Sequence, residues 1–397
     1  MELRGVVQTY AWGKTGKTSK VALLHAANIP EFIIDDKIPY AELWMGTHCN
    51  GPSTLKKTGQ KLEEWINENK NSLGNEVITQ FGETLPYLFK VLSVNKALSI
   101  QAHPTKTHAE QLHKLYPDIY KDPNHKPELA IALTQFEALC GFRPIAEIKG
   151  YVADIPELRR VIGEDLVSRF LKTKEPEDDK QLLKSCFQCL MTCSKDVVVE
   201  QLTLLVNKIK TEGDASRLNQ LLTTLHLDFP GDVGCFCIYF LNHVILNPGE
   251  SIYLGPNVPH AYLSGDCIEC MACSDNVVRA GLTPKFRDVN TLCEMLEYCG
   301  MPASSAKFQP VVEDCYTSLY KPPIPDFAVA SIRLPQEVTE YTTKPRNSAS
   351  ILLVVEGHGN CGAAELNPGS IVFLSSKEQL TINSKTKLSI YQACANV

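Results

Sequence analysis

The chain has 397 residues, a net charge of −6 and a pI near 6.0; its 44% hydrophobic and 21% charged content is ordinary for a soluble globular protein. An acidic balance argues against nucleic acid or an anionic membrane as the main partner, although one basic pocket for a phosphate stays compatible with it. The length exceeds the roughly 250–300 residues at which a single core stops growing, so two or three domains are expected.

No apolar run approaches the ~20 residues of a membrane-spanning helix. The opening MELRGVVQTYAWG lacks the basic, apolar and small-residue segments of a signal peptide, so the expected location is cytoplasmic. Fifteen cysteines in such a chain read as reduced, mostly buried thiols, with no disulfide framework.

In chain order, VVQTYAWG is strand-like and ends in a turn. The following GKTGKTSK imitates a phosphate-binding loop, but Gly13 and Gly16 have two residues between them where that loop needs four, so a solvated basic loop is expected. Residues 39–46 and 85–100 read as strands, the second broken at Asn95. Between them Leu62, Trp65 and Ile66 fall at helical intervals before Gly74. In SIQAHPTK, Gln101 and His103 are two apart, which places both on one face of a strand. Thr107 and Glu110 have capping-box spacing for a helix that stops by Pro117. NHKPELAIAL then supplies His125, Lys126 and Glu128 at the head of an apolar run, and residues 128–142 read as strand, turn, strand.

From about Pro144 to about Leu227 the pattern is helical, with KTKEPEDDK read as a solvated acidic break. Strands are expected to resume at GCFCIYFLNHVILNPGESIYL and to lead through Pro259 to His260. The last hundred residues hold a second, smaller cycle of strands. Its LNPGSIVFLSSKE at Leu366 echoes LNPGESIYLGPNVPH at Leu246 without a histidine after the turn, which suggests two units of related plan.

Gln101, His103, Glu128 and His260 offer the nitrogen and oxygen donors that hold a divalent cation. Each alone also fits a plainer role, as a polar pair at a strand end or, for Glu128, an ion pair with Lys126. Cys267, Cys270 and Cys273 imitate a cluster motif. Val277 stands where a fourth cysteine would be needed, and strand alternation turns Cys270 away from the other two. Arg279 by itself reads as a surface ion-pair partner.

The segments YAWG, YAELWMGTH, LSIQAHP, NHKPELAIAL, LCGFRP, PHAYLSGDCIECMACSDNVVRAGLTPK and PDF, in this order, resemble the type I mannose-6-phosphate isomerases, or phosphomannose isomerases, zinc-dependent enzymes of the cupin fold. The likeness runs from about Val7 to the final strands. It implies a mainly β chain: two cupin-like (jelly-roll) β-barrels plus an α-helical domain. The metal-binding catalytic domain would take residues 1–143 and 228–300, the helical insertion 144–227, and a metal-free C-terminal unit 301–397. The family's ligand positions fall on Gln101, His103, Glu128 and His260, for one Zn2+ per chain. Its active-site arginine falls on Arg279, whose permanent charge suits an oxyanion. Its pocket residues fall on Lys126, Tyr262, Asp275 and Lys285, and Ser99, Lys90 and Lys285 are candidates to receive a phosphate. Lys126 is favoured as proton carrier because a nearby metal and Arg279 disfavour a third positive charge.

The implied reaction interconverts mannose 6-phosphate and fructose 6-phosphate through an enediolate and feeds GDP-mannose and glycosylation. The implied partner is a small phosphosugar, with no nucleic acid or membrane, and the chain is expected to act as a monomer. An iron oxygenase of the facial-triad type would need neither Gln101 nor Arg279. A degenerate sugar-binding or storage cupin would not keep all five positions.

Overall fold

The strand His260–Ala272 is the backbone on which the site is built, because strands from four parts of the chain pair along it. In the computed structural model, which describes residues 1–173, 175–213 and 215–397, its partners are Tyr87–Val94, Ile100–Ala102, Glu128–Ala132 and Phe136–Phe142, all antiparallel. They belong to an 11-stranded sheet that extends through Ser251–Leu254 to Lys307–Phe308 on one side and through Glu42–Met45 to Val6–Gln8 on the other.

Strand alternation sorts the side chains into two environments. Leu92 and Val94 share one face with Ala130, Ala132, Cys267 and Tyr262, and they form one apolar cluster. Phe89, Val91, Leu129, Ile268 and Cys270 point the other way, into a cluster shared with Phe327, Val329, Ile351 and Tyr391 from the C-terminal strands. Cys267 and Cys270 therefore face opposite sides. All fifteen cysteines are free.

Among the described residues six helices, from Ile145–Asp154 to Arg217–Asp228, cover the back of the sheet. Ile100, Ala102, Ala261, Leu263, Val278 and Ala280 pack there against Phe170, Phe187, Leu190, Leu202 and Leu225. With those side chains committed to the helices, Gln101, His103, His260, Tyr262 and Arg279 are left for the opposite face.

The C-terminal strands form an 8-stranded sheet and a separate 4-stranded one. The first strand, Glu2–Arg4, belongs to this 8-stranded sheet and pairs with Ile371–Leu374 through Glu2↔Val372 and Leu3↔Ile371. The two echoing turns share their detail. Gly249 has φ +91° and Gly369 has φ +88°, a region open to glycine. Glu250 N donates to Asn247 O and Ser370 N to Asn367 O, both at 2.9 Å. Each turn also docks on the other part of the molecule: Gly249 O accepts from Tyr320 Oη at 2.6 Å, and Gly369 sits against the Leu24 carbonyl.

Several expectations need correction. The chain is not mainly β, since helix takes about 33% and strand about 29% of it. EPEDDK is not a loop: Lys174 lies outside the described residues, Glu175 is the N-cap, and Pro176–Thr192 is helical from its proline onward. Proline suits the first helical position, and Glu177, Asp178 and Asp179 complement the positive end of the helix dipole. Val233–Tyr239 is a 3-10 helix, because a continuous apolar run has no period with which to declare itself a strand. The helix Lys106–Leu115 is capped by Thr105, whose hydroxyl accepts from His108 N at 3.2 Å, not by Thr107. Lys14 is not merely solvated; its Nζ is 2.6 Å from Asp266, a carboxylate only 5% exposed. No helix among the described residues is long and apolar enough to cross a membrane.

Candidate metal centre and substrate pocket

His103 and Glu128, from two neighbouring motifs, meet His260, which lies more than a hundred residues further along the chain; all three are buried, with potential ligand atoms within 4.8 Å of one another. His103 Nε2 is 3.3 Å from Glu128 Oε1, and His260 Nε2 is 3.5 Å from Glu128 Oε2. Each ring is held from behind: His103 Nδ1 donates to Asn276 O at 2.7 Å and His260 Nδ1 to Val258 O at 2.9 Å. A carbonyl can only accept, so the ring proton of each neutral imidazole sits on Nδ1 and the Nε2 lone pairs face Glu128.

Among the described residues neither buried Nε2 atom has a hydrogen-bond partner. Two lone pairs aimed at a carboxylate repel unless a cation stands among them, and this donor set fits a divalent metal. Burial pushes the His103 imidazole down to about 4 against the pull of Glu128, which keeps it neutral and able to ligate. Burial alone would raise the Glu128 carboxyl, but the neighbouring Lys126 ammonium, first among the opposing influences, outweighs it and holds the group well below the usual carboxylate range.

Gln101 joins the trio by register. It lies opposite His260 on one side and opposite Arg279 on the other, and its Oε1 accepts from Ser99 Oγ at 3.3 Å. Lys126 Nζ is 3.2 Å from Glu128 Oε1. Tyr262 is buried and donates its hydroxyl to Glu128 Oε2 at 3.4 Å; burial, with Glu269 and Glu128 nearby, raises its phenol well above the usual range. Asp275 is half-exposed and faces His48 Nε2 at 3.5 Å, and that contact holds its carboxyl down.

Lys90 is not at the surface. It is 6% exposed, with its Nζ 3.0 Å from Glu269 Oε2 and 3.2 Å from Glu42 Oε2. Burial would push its ammonium down, but Glu269 and Glu42 reverse that and raise it. Its charge is thus already shared by two carboxylates, which argues against it as the principal phosphate cation. Glu42, braced by Trp44 Nε1, and Glu269 were missed by sequence reasoning. Alternation offered a signal, because it turns Glu269 to the same side as Cys267, inside a strand otherwise free of acid after Asp266.

Lys285 stands apart from the His103, Glu128 and His260 group. With Arg279 it lines a cavity of about 350 Å3 that also includes Tyr120, Phe286 and Asp288. Among the described residues neither Arg279 nor Lys285 has an ion-pair partner, while Tyr120 Oη occupies Asp288 Oδ2 at 2.8 Å. His125 is no ligand: its Nε2 lies 3.1 Å from Asp326 Oδ1.

Comparison with known proteins gives one answer along the chain. Residues 1–145 match the catalytic domain of phosphomannose isomerase type I, residues 161–241 its helical insertion domain and residues 318–361 its C-terminal domain. Mannose-6-phosphate isomerase of Rattus norvegicus is 49% identical over 409 aligned residues, covering 98% of this chain and 97% of the rat protein. A variant of phosphomannose isomerase from Salmonella typhimurium superposes with a TM-score of 0.86 at 30% identity, covering 100% of this chain and 99% of that one. A mannose 6-phosphate isomerase bound with zinc and yttrium superposes with a TM-score of 0.85, also at 30% identity and with the same coverage. This similarity, over nearly the full length of both partners, makes the chain a member of the type I phosphomannose isomerase family.

Proposed function

We propose that the protein interconverts D-mannose 6-phosphate and D-fructose 6-phosphate, with zinc as its metal. The observation that carries this reading is the pair of unpartnered Nε2 atoms, on His103 and His260, that face the two oxygens of Glu128. His103, Glu128 and His260 would hold the ion, with Gln101 as a fourth donor. A zinc ion bound there supplies Lewis acidity toward sugar oxygens.

Aldose–ketose isomerisation moves a proton between C2 and C1 and places negative charge on the intervening oxygens. Arg279 carries a permanent cation to that charge, and its cross-strand pairing with Gln101 keeps it beside the ligand cluster. Lys285, without an ion-pair partner among the described residues and lining the same cavity, suits the substrate phosphate. Ser99 holds Gln101 and Tyr262 holds Glu128, so both act on ligand orientation. Asp275, kept ionised by His48, suits hydrogen bonding to sugar hydroxyls more than proton transfer. Lys126, beside Glu128, is the proton carrier in this reading. Glu269 is the second candidate, because burial, opposed by Lys90, raises its carboxyl toward the range of a general base.

The division into a metal-bearing cupin-like barrel of residues 1–143 and 228–300, a helical insertion of 144–227 and a second barrel of 301–397 is part of the same proposal. The matching Gly249 and Gly369 turns support it, with Glu2–Arg4 assigned to the second unit. Fifteen free thiols suit a reducing compartment such as the cytosol.

The test is fructose 6-phosphate formation from mannose 6-phosphate before chelation, after it, and after zinc is restored. Activity that disappears and returns is the expected result. Turnover indifferent to chelation would remove the metal from the mechanism, and no turnover in a folded, zinc-loaded sample would remove the reaction.

A further inference from the structure

The His103 ring is aimed by a peptide carbonyl, so whatever fixes that carbonyl fixes the ligand. The carbonyl belongs to Asn276, a residue 1% exposed in the turn between His260–Ala272 and Val278–Gly281. Nothing in regular secondary structure holds this turn. It is clamped by a strap from Asp122 to Asn124, which continues into His125, Lys126 and Glu128.

Asp122 is the hub of the clamp. Its Oδ1 accepts from Ser274 Oγ at 2.8 Å, Asn124 N at 2.9 Å and Asn276 Nδ2 at 3.3 Å. Its Oδ2 accepts from Asp275 N at 2.8 Å, and its backbone carbonyl from Asn276 Nδ2 at 2.6 Å. Ser274 Oγ also accepts from Asn276 N at 3.1 Å, which closes the ring of bonds around the residue that aims His103. Asn124 completes the strap by donating its Nδ2 to Cys273 O at 2.9 Å.

We infer that Asp122 is a positioning residue for the metal centre: its carboxylate locks the 274–276 turn to the 122–124 strap and so sets the direction of the His103 imidazole and the approach of Lys126. The inference rests on the reading of His103 as a metal ligand. Four backbone or side-chain donors converge on one carboxylate, and no neutral side chain of that size can accept from all of them. An asparagine would turn an amide N–H2 toward one of these donors. Because His103 has no other polar contact to its Nδ1, rotation of the Asn276 peptide passes directly to the ring.

The experiment measures zinc affinity of the full chain by chelator competition, together with the visible spectrum of the cobalt-substituted protein, in wild type, Asp122→Asn, Ser274→Ala and His103→Ala. Loss of an outer-shell partner costs about 10- to 100-fold in metal affinity. The expected result is a dissociation constant raised by that factor in Asp122→Asn, a smaller rise in Ser274→Ala, and altered cobalt bands in both. A folded Asp122→Asn with wild-type affinity and wild-type bands overturns the inference, even if its melting temperature falls. Should Asp122→Asn fail to fold, Ser274→Ala decides by the same readouts. If His103→Ala binds zinc as tightly as wild type, the ligand reading itself fails. If His103→Ala loses zinc while both clamp variants keep it, only the positioning role fails.

Discussion

His125 and Asp326 meet at 3.1 Å across 201 residues of sequence, and their contact ties the C-terminal strands to the strap that carries Lys126 and Glu128. Asp326 is 4% exposed, so its carboxylate has little water to fall back on. The C-terminal part of the molecule thereby braces the strap beside the candidate metal centre.

Removing that brace should be felt at both ends. Asp326→Ala is expected to lower unfolding stability by about 1–3 kcal/mol, the range for a buried bond to a charged group. Turnover should fall with it because the Lys126 strap loosens. Asp326→Asn keeps an acceptor for His125 and should recover most of both. Urea midpoints and kcat on the three proteins check this; equal stability in all of them would make the contact idle.

The cavity cations should separate in their kinetics. Arg279→Met is expected to lower kcat by about 100- to 1,000-fold, the usual cost of removing a donor to a developing oxyanion. Lys285→Met should instead raise KM by about tenfold with kcat nearly kept, since a phosphate contact is made equally in ground and transition states. Steady-state kinetics in both directions distinguish them.

Proton transfer has two candidates, and isotope exchange can choose. If Lys126 carries the proton, Lys126→Met stops both turnover and exchange of the C2 hydrogen with deuterated water, while Glu269→Gln slows them less. The reverse ranking transfers the role to Glu269, whose burial already raises its carboxyl.

An acid-sensitive joint links the helices to the sheet. Glu137 accepts from His243 at 2.8 Å and from Arg217 at 2.8 Å, and the His243 hydrogen bond, with Arg217, brings its carboxyl down to about 2. A depressed carboxylate contributes stability that is fully present above its ordinary value of 4.5 and is lost as pH falls through about 2. The stability gap between wild type and Glu137→Gln should therefore hold from neutral pH to the upper edge of that window and close across it. Urea denaturation as a function of pH reads the gap directly.

The meeting of His103, Glu128 and His260 was legible because each lies in a short stretch where histidine or carboxylate borders or interrupts an otherwise apolar strand. Their neighbours were harder to read. Glu42 and Glu269 look like ordinary strand acids until Lys90 is seen between them, and Asp122 looks like a loop residue until the 274–276 turn is laid against it. Pairing across a long chain is set by which surfaces bury each other, and local periodicity carries no trace of it. The same limit applies to the apolar run at Val233–Tyr239, which is buried throughout and forms a 3-10 helix that Asp232 caps by accepting from Gly234 N. Thr105 and Thr107 differ only in which one begins the helix, a choice of two residues that spacing does not resolve.

The pairing of Glu2–Arg4 with Ile371–Leu374 has a consequence for how the molecule is made. A ribosome releases Glu2–Arg4 long before its partner exists, and the sheet between them closes only after Ile371–Leu374 has emerged. Contacts so distant in sequence are late and slow to form. Thr54–Leu55 can cover one side of Glu2–Arg4 early, but its other edge stays open until then, and an unpaired strand edge is a place where a chaperone or another nascent copy can pair.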